Sequence, residues 1–133
     1  NVVYMRDKYS QYTNGEHKFD RMSDEGRLGS VSQPNLSLDG ALLAYTQTSG
    51  SKTNIYVAPF ADRGKTITAL TSSGKDSWPC WSPDGQWLLF SSTRDGNAEI
   101  YIMDKNGEQV TNLTNLASQD KEPAWQPVPF PIP

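Results

Sequence analysis

Apolar residues in this chain come in short runs cut by turn residues. The clearest run is Trp87–Ser92, where Leu88, Leu89 and Phe90 are consecutive and Thr93-Arg94-Asp95-Gly96-Asn97 closes it. A run that short, bounded by turn signals, predicts a buried strand. Glu99–Met103 alternates, with Ile100 and Ile102 on one face and Tyr101 on the other, and predicts a second strand. Ser82-Pro83-Asp84-Gly85, ahead of the first run, reads as a tight turn. Its proline sets φ at the second turn position and its glycine supplies a positive φ. Lys105-Asn106-Gly107-Glu108 reads as a two-residue hairpin centred on Asn-Gly, followed by a strand over Gln109–Leu113. No segment keeps a helical period long enough to argue a helix.

The pattern repeats. Trp78-Pro79-Cys80-Trp81-Ser82-Pro83-Asp84-Gly85 lies over Gln33-Pro34-Asn35-Leu36-Ser37-Leu38-Asp39-Gly40 at an offset of 45. Tyr56 and Tyr101 keep the same offset, Leu70-Thr71 and Leu113-Thr114 follow at 43, and Glu122-Pro123-Ala124-Trp125 reopens the pattern 44 residues after Pro79. Tyr4-Met5-Arg6-Asp7-Lys8 resembles Tyr101-Ile102-Met103-Asp104-Lys105. After an insertion at Tyr9–Thr13, Asn14-Gly15-Glu16 and Met22-Ser23 match the hairpin and the Leu-Thr close. The chain therefore divides into a partial unit (1–30, third and fourth strands), full units at 31–75 and 76–120, a first strand at 121–127 and a Pro-rich tail at 128–133. Four strands in about 45 residues is the period of a propeller blade. The predicted fold is all-β: a β-propeller of about two and a half four-stranded blades.

The series Pro-x-Trp-Ser-Pro-Asp-Gly, then Asp-Gly-Asn-x-Glu-Ile-Tyr, then Leu-Thr, resembles the TolB-type β-propeller repeat, a cousin of the WD repeat without its Trp-Asp signature. The resemblance is strong over 78–127, clear over 33–71 and weak over 1–30. It identifies the blade and leaves function to the site. Propellers typically close with about four to eight blades. The chain is expected to be a fragment of a longer propeller, since Asn1 enters the repeat at a third strand; the other reading is a ring completed by a second copy. The prolines of the tail lack amide donors and exclude a central strand there.

Composition narrows the chemistry. Only 35% of the residues are hydrophobic, few for one closed domain but in keeping with sheets whose faces expect neighbours. The net charge of −3 argues against binding to phosphate backbones, so no nucleic-acid partner is expected. No run is long enough for a transmembrane segment, and the N-terminus lacks the form of a signal peptide. One cysteine, Cys80, excludes a disulfide framework or cysteine metal cluster; it reads as a small buried residue. One histidine, His17, leaves no two-histidine metal site. Without a nucleophile–base motif or a Gly-x-Ser-x-Gly elbow, no catalytic residue is assigned and the chain alone is not expected to be an enzyme.

Several residues invite two readings. Trp81 and Trp125 occupy a repeated position and are assigned to packing between blades. Trp78 stands outside it, at the start of an inner strand, and is a candidate ligand contact. Asp76 and Asp120 precede inner strands, which line a propeller's channel. They are either solvated loop carboxylates or a site for a divalent cation or basic peptide. Otherwise no cofactor or metal is expected. Asp39-Gly40 and Asp84-Gly85 belong to turns, where the carboxylates would cap backbone amides. With Tyr56 and Tyr101, these are structural repeat positions. Arg94 is expected to bridge to a neighbouring blade's carboxylate. The sequons at Asn35 and Asn112 carry no weight, since both fall in strands.

The resemblance implies a non-catalytic scaffold that binds a protein or peptide in an extracytoplasmic setting, the bacterial periplasm or cell surface. Peptidoglycan-associated lipoproteins are the implied partners. The alternatives are the substrate-gating propeller of a prolyl-oligopeptidase-type serine peptidase and a structural subunit of a large assembly.

Overall fold

The computed structural model describes residues 4–6, 19–21, 30–61 and 66–126. His17, the Tyr9–Thr13 insertion, Asn14–Glu16, Met22-Ser23 and the tail at 128–133 lie outside the described residues. A short hairpin pairs β1 (Tyr4–Arg6) with β2 (Phe19–Arg21). Two four-stranded antiparallel sheets follow, each with its strands in chain order. The first contains β3 (Ser30–Leu36), β4 (Leu42–Ser49), β5 (Lys52–Pro59) and β6 (Thr68–Ala69). The second contains β7 (Asp76–Trp81), β8 (Trp87–Ser92), β9 (Glu99–Asp104) and β10 (Thr111–Asn112).

The register repeats with the sequence. Tyr45 pairs with Tyr56 in the first sheet, and Phe90 with Tyr101 in the second. Strand alternation then separates two faces. Leu43, Tyr45 and Ala58 lie on one face of the first sheet, in a cluster with Val31. Ala44, Ile55 and Val57 lie on the other, where they join Trp81, Leu88, Phe90, Tyr101 and Met103 of the second sheet. The main core is thus built between two units. Ala44, Ile55, Leu88, Phe90 and Met103 are completely buried there, and each large side chain contributes about 1.5–3 kcal/mol by leaving water.

The turns follow one hydrogen-bond scheme. Ser82 Oγ donates to Asp84 Oδ1 at 2.6 Å, Gln86 N donates to the same oxygen at 3.0 Å, and Trp87 N donates to Ser82 Oγ at 3.0 Å. Forty-five residues earlier, Ser37 Oγ, Ala41 N and Leu42 N make the same three bonds at 2.6, 2.9 and 2.9 Å. Ser37 and Ser82 are buried, so the carboxylate also satisfies a hydroxyl removed from water. The Leu-Thr pair has a comparable use. Thr71 Oγ1 accepts from Ile55 N, and Thr114 Oγ1 from Ile100 N, each at 3.0 Å, beyond the short fourth strand.

Two local expectations are corrected. The turn after β9 is not a two-residue Asn-Gly hairpin. Gly107 N donates to Asp104 O at 3.0 Å and Asp104 N to Glu108 O at 2.9 Å, which leaves three residues in the loop and puts Gly107 at φ 83°. Asp104 Oδ1 accepts from Asn106 N and Glu108 N at 2.9 Å each, and this capping selects the longer loop. The strand expected over Gln109–Leu113 pairs only at Thr111–Asn112, because Gln109 adopts φ 55° and leaves extended geometry.

Gly107 also touches the first sheet: a Cβ there would lie 2.5 Å from Leu70 O. Gly40, at φ 73°, has open space around it. Gly40→Ala should therefore cost only the backbone term, about 1–2 kcal/mol, and Gly107→Ala distinctly more, as measured by urea unfolding.

Candidate functional site

The site is built on the first strand of each unit. β3 pairs Ser32 with Thr46 and Asn35 with Ala44; β7 pairs Ser77 with Ser91 and Cys80 with Leu89. Each first strand therefore carries one extra residue, a β-bulge. A non-glycine residue within each bulge has positive φ: Gln33 at 52° and Trp78 at 57°. Glu122, at 56°, repeats the feature in the third unit. All three precede a proline. For a bulky residue such as Trp78 this backbone is a genuine outlier, and such strain persists only where surrounding bonds impose it. Here Trp78 N donates to Gln33 Oε1 at 3.0 Å and to Thr46 Oγ1 at 3.2 Å, both in the first sheet. The backbone is constant across the units, while the side chains are an amide, an indole and a carboxylate.

Trp78 is 37% exposed, so its ring is available to a ligand. Trp81 is 5% exposed and lies within the core between the sheets. Trp125 is half-buried, with Nε1 donating to Cys80 O at 3.0 Å. Tyr56 is half-buried and stacks on Tyr45 with ring centroids 6.1 Å apart. Cys80 is only half-buried.

Asp76 differs from either expectation. It is neither solvated nor free to bind: its side chain is 0% exposed. Oδ1 accepts from Ser92 Oγ at 2.6 Å and from Arg94 Nη2 at 2.8 Å, and Oδ2 from Ser73 Oγ at 2.6 Å. A carboxylate so saturated has no lone pair facing an external cation. Among the described residues no group of three His, Cys, Asp or Glu is placed to hold a metal. Arg94 pairs within its own unit and not, as expected, with a neighbouring one, because Ser92 and Asp76 face each other across β7–β8. Its guanidinium also lies 5.4 Å from the centroid of Phe90 and 4.8 Å from that of Tyr101. Tyr101 donates to Asp95 Oδ2, and burial first, then Asp95, pushes its hydroxyl pKa up to about 12.

Asp120 stands where Asp76 stands, 44 residues on. Its Oδ2 is buried with no hydrogen-bond partner among the described residues. The sequon asparagines are committed: Asn35 Oδ1 accepts from Trp81 N at 2.8 Å, and Asn112 Oδ1 from Thr114 N at 3.1 Å. The sequence signalled Trp78 but not Gln33 or Glu122; the residue preceding each repeated proline was the available mark.

Two meandering four-stranded sheets, packed face to face at one repeated offset, define a segment of a β-propeller. Residues 21–129 match the TolB β-propeller domain, and the chain belongs to that family. It is 37% identical over 67 residues to the Tol-Pal system protein TolB of Geobacter sulfurreducens, covering 50% of this chain and 16% of that protein. It is 30% identical over 105 residues to an uncharacterized peptidase of Bacillus subtilis, covering 74% of this chain and 16% of that protein. A putative TolB from Agrobacterium tumefaciens superimposes with a TM-score of 0.72 at 21% identity, over 90% of this chain and 44% of that one. A puromycin hydrolase gives 0.60 at 21% identity, over 71% of this chain and 15% of that one. The chain thus spans about a sixth of the length of these two relatives.

Two outcomes follow. Burial pushes the Asp76 pKa up, but bonds from Ser73, Ser92, Arg94 and Thr71 outweigh it and leave the pKa below the ordinary 3.8. A pKa lower in the folded state stabilises above the unfolded value and loses that contribution as pH falls through the folded one. Stability should therefore drop below about pH 4, and Asp76→Asn should flatten part of that slope in urea titrations across pH 2–6. Second, Trp81→Ala should cost about 3–5 kcal/mol, whereas Trp78→Asn should cost less than about 1 kcal/mol, since asparagine tolerates positive φ.

Proposed function

We propose that this TolB-type segment is a non-catalytic protein-binding module and that the strained first-strand row is its contact surface. The observation that carries this reading is Trp78: a large aromatic ring, exposed, on a backbone held in an unfavourable conformation by the preceding unit. Exposed aromatic side chains dominate protein recognition energetics, and side chains on a rigid scaffold lose little entropy on binding. Glu122 occupies the same backbone position in the following unit and adds a charged contact, whereas Gln33, whose Oε1 accepts from Trp78 N and Thr46 Oγ1, belongs to the support of Trp78. The likeness to the Tol-Pal system protein supports a lipoprotein partner and an extracytoplasmic, periplasmic setting. No described helix is long and apolar enough to cross a membrane. A divalent cation held between Asp76 and Asp120 is not part of this reading, since Asp76 is saturated.

The second reading, a substrate-gating propeller of a serine peptidase, is favoured by the similarity to the uncharacterized peptidase of Bacillus subtilis and by the fold shared with puromycin hydrolase. In that case the chemistry belongs to a separate domain of the gene product.

Calorimetric titration with the soluble domain of the peptidoglycan-associated lipoprotein from the same organism tests the first reading. Binding should weaken at least about tenfold in Trp78→Ala, the usual loss at an aromatic anchor. Absence of binding, or equal affinity of the variant, would sink it. Labelling of the full gene product by a fluorophosphonate would move the assignment to the peptidase.

A further inference from the structure

We propose that Asn106-Gly107 is a deamidation site held latent by Asp104, and that isoaspartate formed there loosens the contact between the second unit and the first.

The chemistry needs only the chain and water. Gly107 N gives up its proton and bonds to Asn106 Cγ. The Cγ–Nδ2 bond breaks, ammonia leaves, and a succinimide ring closes. Water then opens the ring at one of its two carbonyls. Opening at Cγ gives aspartate; opening at the main-chain carbonyl gives isoaspartate, in which the backbone runs through the side-chain carbon. Asparagine is a thermolabile residue, and a glycine after it leaves the attacking nitrogen unshielded by a side chain. Asn106 is exposed, and no hydrogen bond engages its side-chain amide among the described residues. Ala61 stands at the same place in the first unit, so of the two full units only the second can react here.

Asp104 restrains the reaction in two ways. Gly107 N donates to Asp104 O at 3.0 Å, so the nucleophile is occupied. Asp104 Oδ1 accepts from Asn106 N and Glu108 N at 2.9 Å each, which fixes the backbone on both sides of the reacting nitrogen. The bond from Glu108 N, helped by that from Asn106 N, holds the Asp104 carboxyl below its ordinary 3.8. It is therefore charged wherever amides lose protons, and a neighbouring negative charge disfavours the amide anion. Attack has to wait for local opening of the loop. The consequence of attack follows from position. A Cβ on Gly107 would lie 2.5 Å from Leu70 O, so the loop is seated on the first sheet. Leu70 packs against the core shared by the two sheets, and its N donates to Ile55 O at 2.8 Å. Isoaspartate inserts a backbone carbon into a loop closed by the bond from Asp104 N to Glu108 O at 2.9 Å. The lengthened loop cannot keep both that closure and the seat on Leu70. Aspartate at 106 leaves the backbone, and both contacts, as they are.

The test incubates the full chain at mildly alkaline pH, folded and in urea. Conversion is followed by mass and by enzymatic methyl transfer to isoaspartate from S-adenosylmethionine. A peptide map separates Asn106 from the same dipeptide at Asn14-Gly15. Asn106 should convert in the folded chain, but at least about tenfold more slowly than in urea, the weight of the hydrogen bonds that hold the loop. Asp104→Ala should remove most of that protection, and Asp104→Asn, which keeps an acceptor and loses the charge, should remove part of it. Asp39→Ala takes the equivalent cap from a turn of the first unit and should leave the rate at Asn106 unchanged. The purified isoaspartyl form should have a lower urea midpoint than the parent, and Asn106→Asp should match the parent. Four results would each overturn the proposal: no conversion at Asn106 in the folded chain, equal rates folded and in urea, a faster rate in Asp39→Ala that equals that in Asp104→Ala, or an isoaspartyl form as stable as the parent.

Discussion

A four-stranded sheet with apolar residues on both sides cannot bury either side by folding on itself, and the architecture of this chain follows from that constraint. Ala44, Ile55 and Val57 leave water only because Trp81, Leu88, Phe90, Tyr101 and Met103 cover them. The same constraint leaves Val31, Leu43, Tyr45 and Ala58 clustered on the far side of the first sheet. Leu89 is buried on the far side of the second, whereas Ile100 and Ile102 there are only half-buried. Stability in such a stack is a sum of unit and interface contributions, so each unit is as secure as its neighbours make it.

Polar groups follow the same logic at smaller scale. In the Ser-x-Asp-Gly turns one exposed carboxylate accepts from a buried serine hydroxyl and a backbone amide, and the serine oxygen accepts from a second amide. Asp76 is the harder case, a charge fully removed from water, and it is tolerated because two serines and an arginine surround it. Arg94 then ties the start of β7 to the aromatic faces of Phe90 and Tyr101, so one ion pair fixes three strands.

The strained first-strand position combines a repeated backbone with a side chain that differs between units. Its backbone is held by hydrogen bonds from the preceding unit, as Gln33 and Thr46 hold Trp78. Its side chain differs from unit to unit, and where it is Gln33 it also supports the backbone of Trp78 in the next unit.

Repeat, strand order and turn chemistry were legible in the sequence because they are local: Pro79 and Pro34, Asp84 and Asp39, Tyr101 and Tyr56 mark them at a fixed offset. Strand β8 was legible to the residue, since its apolar run ends in strong turn signals. The three-residue loop at Gly107 was not, because Asp104 captures amides that an Asn-Gly motif would leave free. Asp76 was misread for a related reason. Its position ahead of a strand says nothing of burial, which depends on Ser92 and Arg94 arriving from across the sheet. The sequence by itself determined that this chain repeats a four-stranded unit and where each turn falls. The tertiary structure alone decided which carboxylate is sealed and which indole stays in water, because those depend on what the neighbouring strands and units place against each side chain.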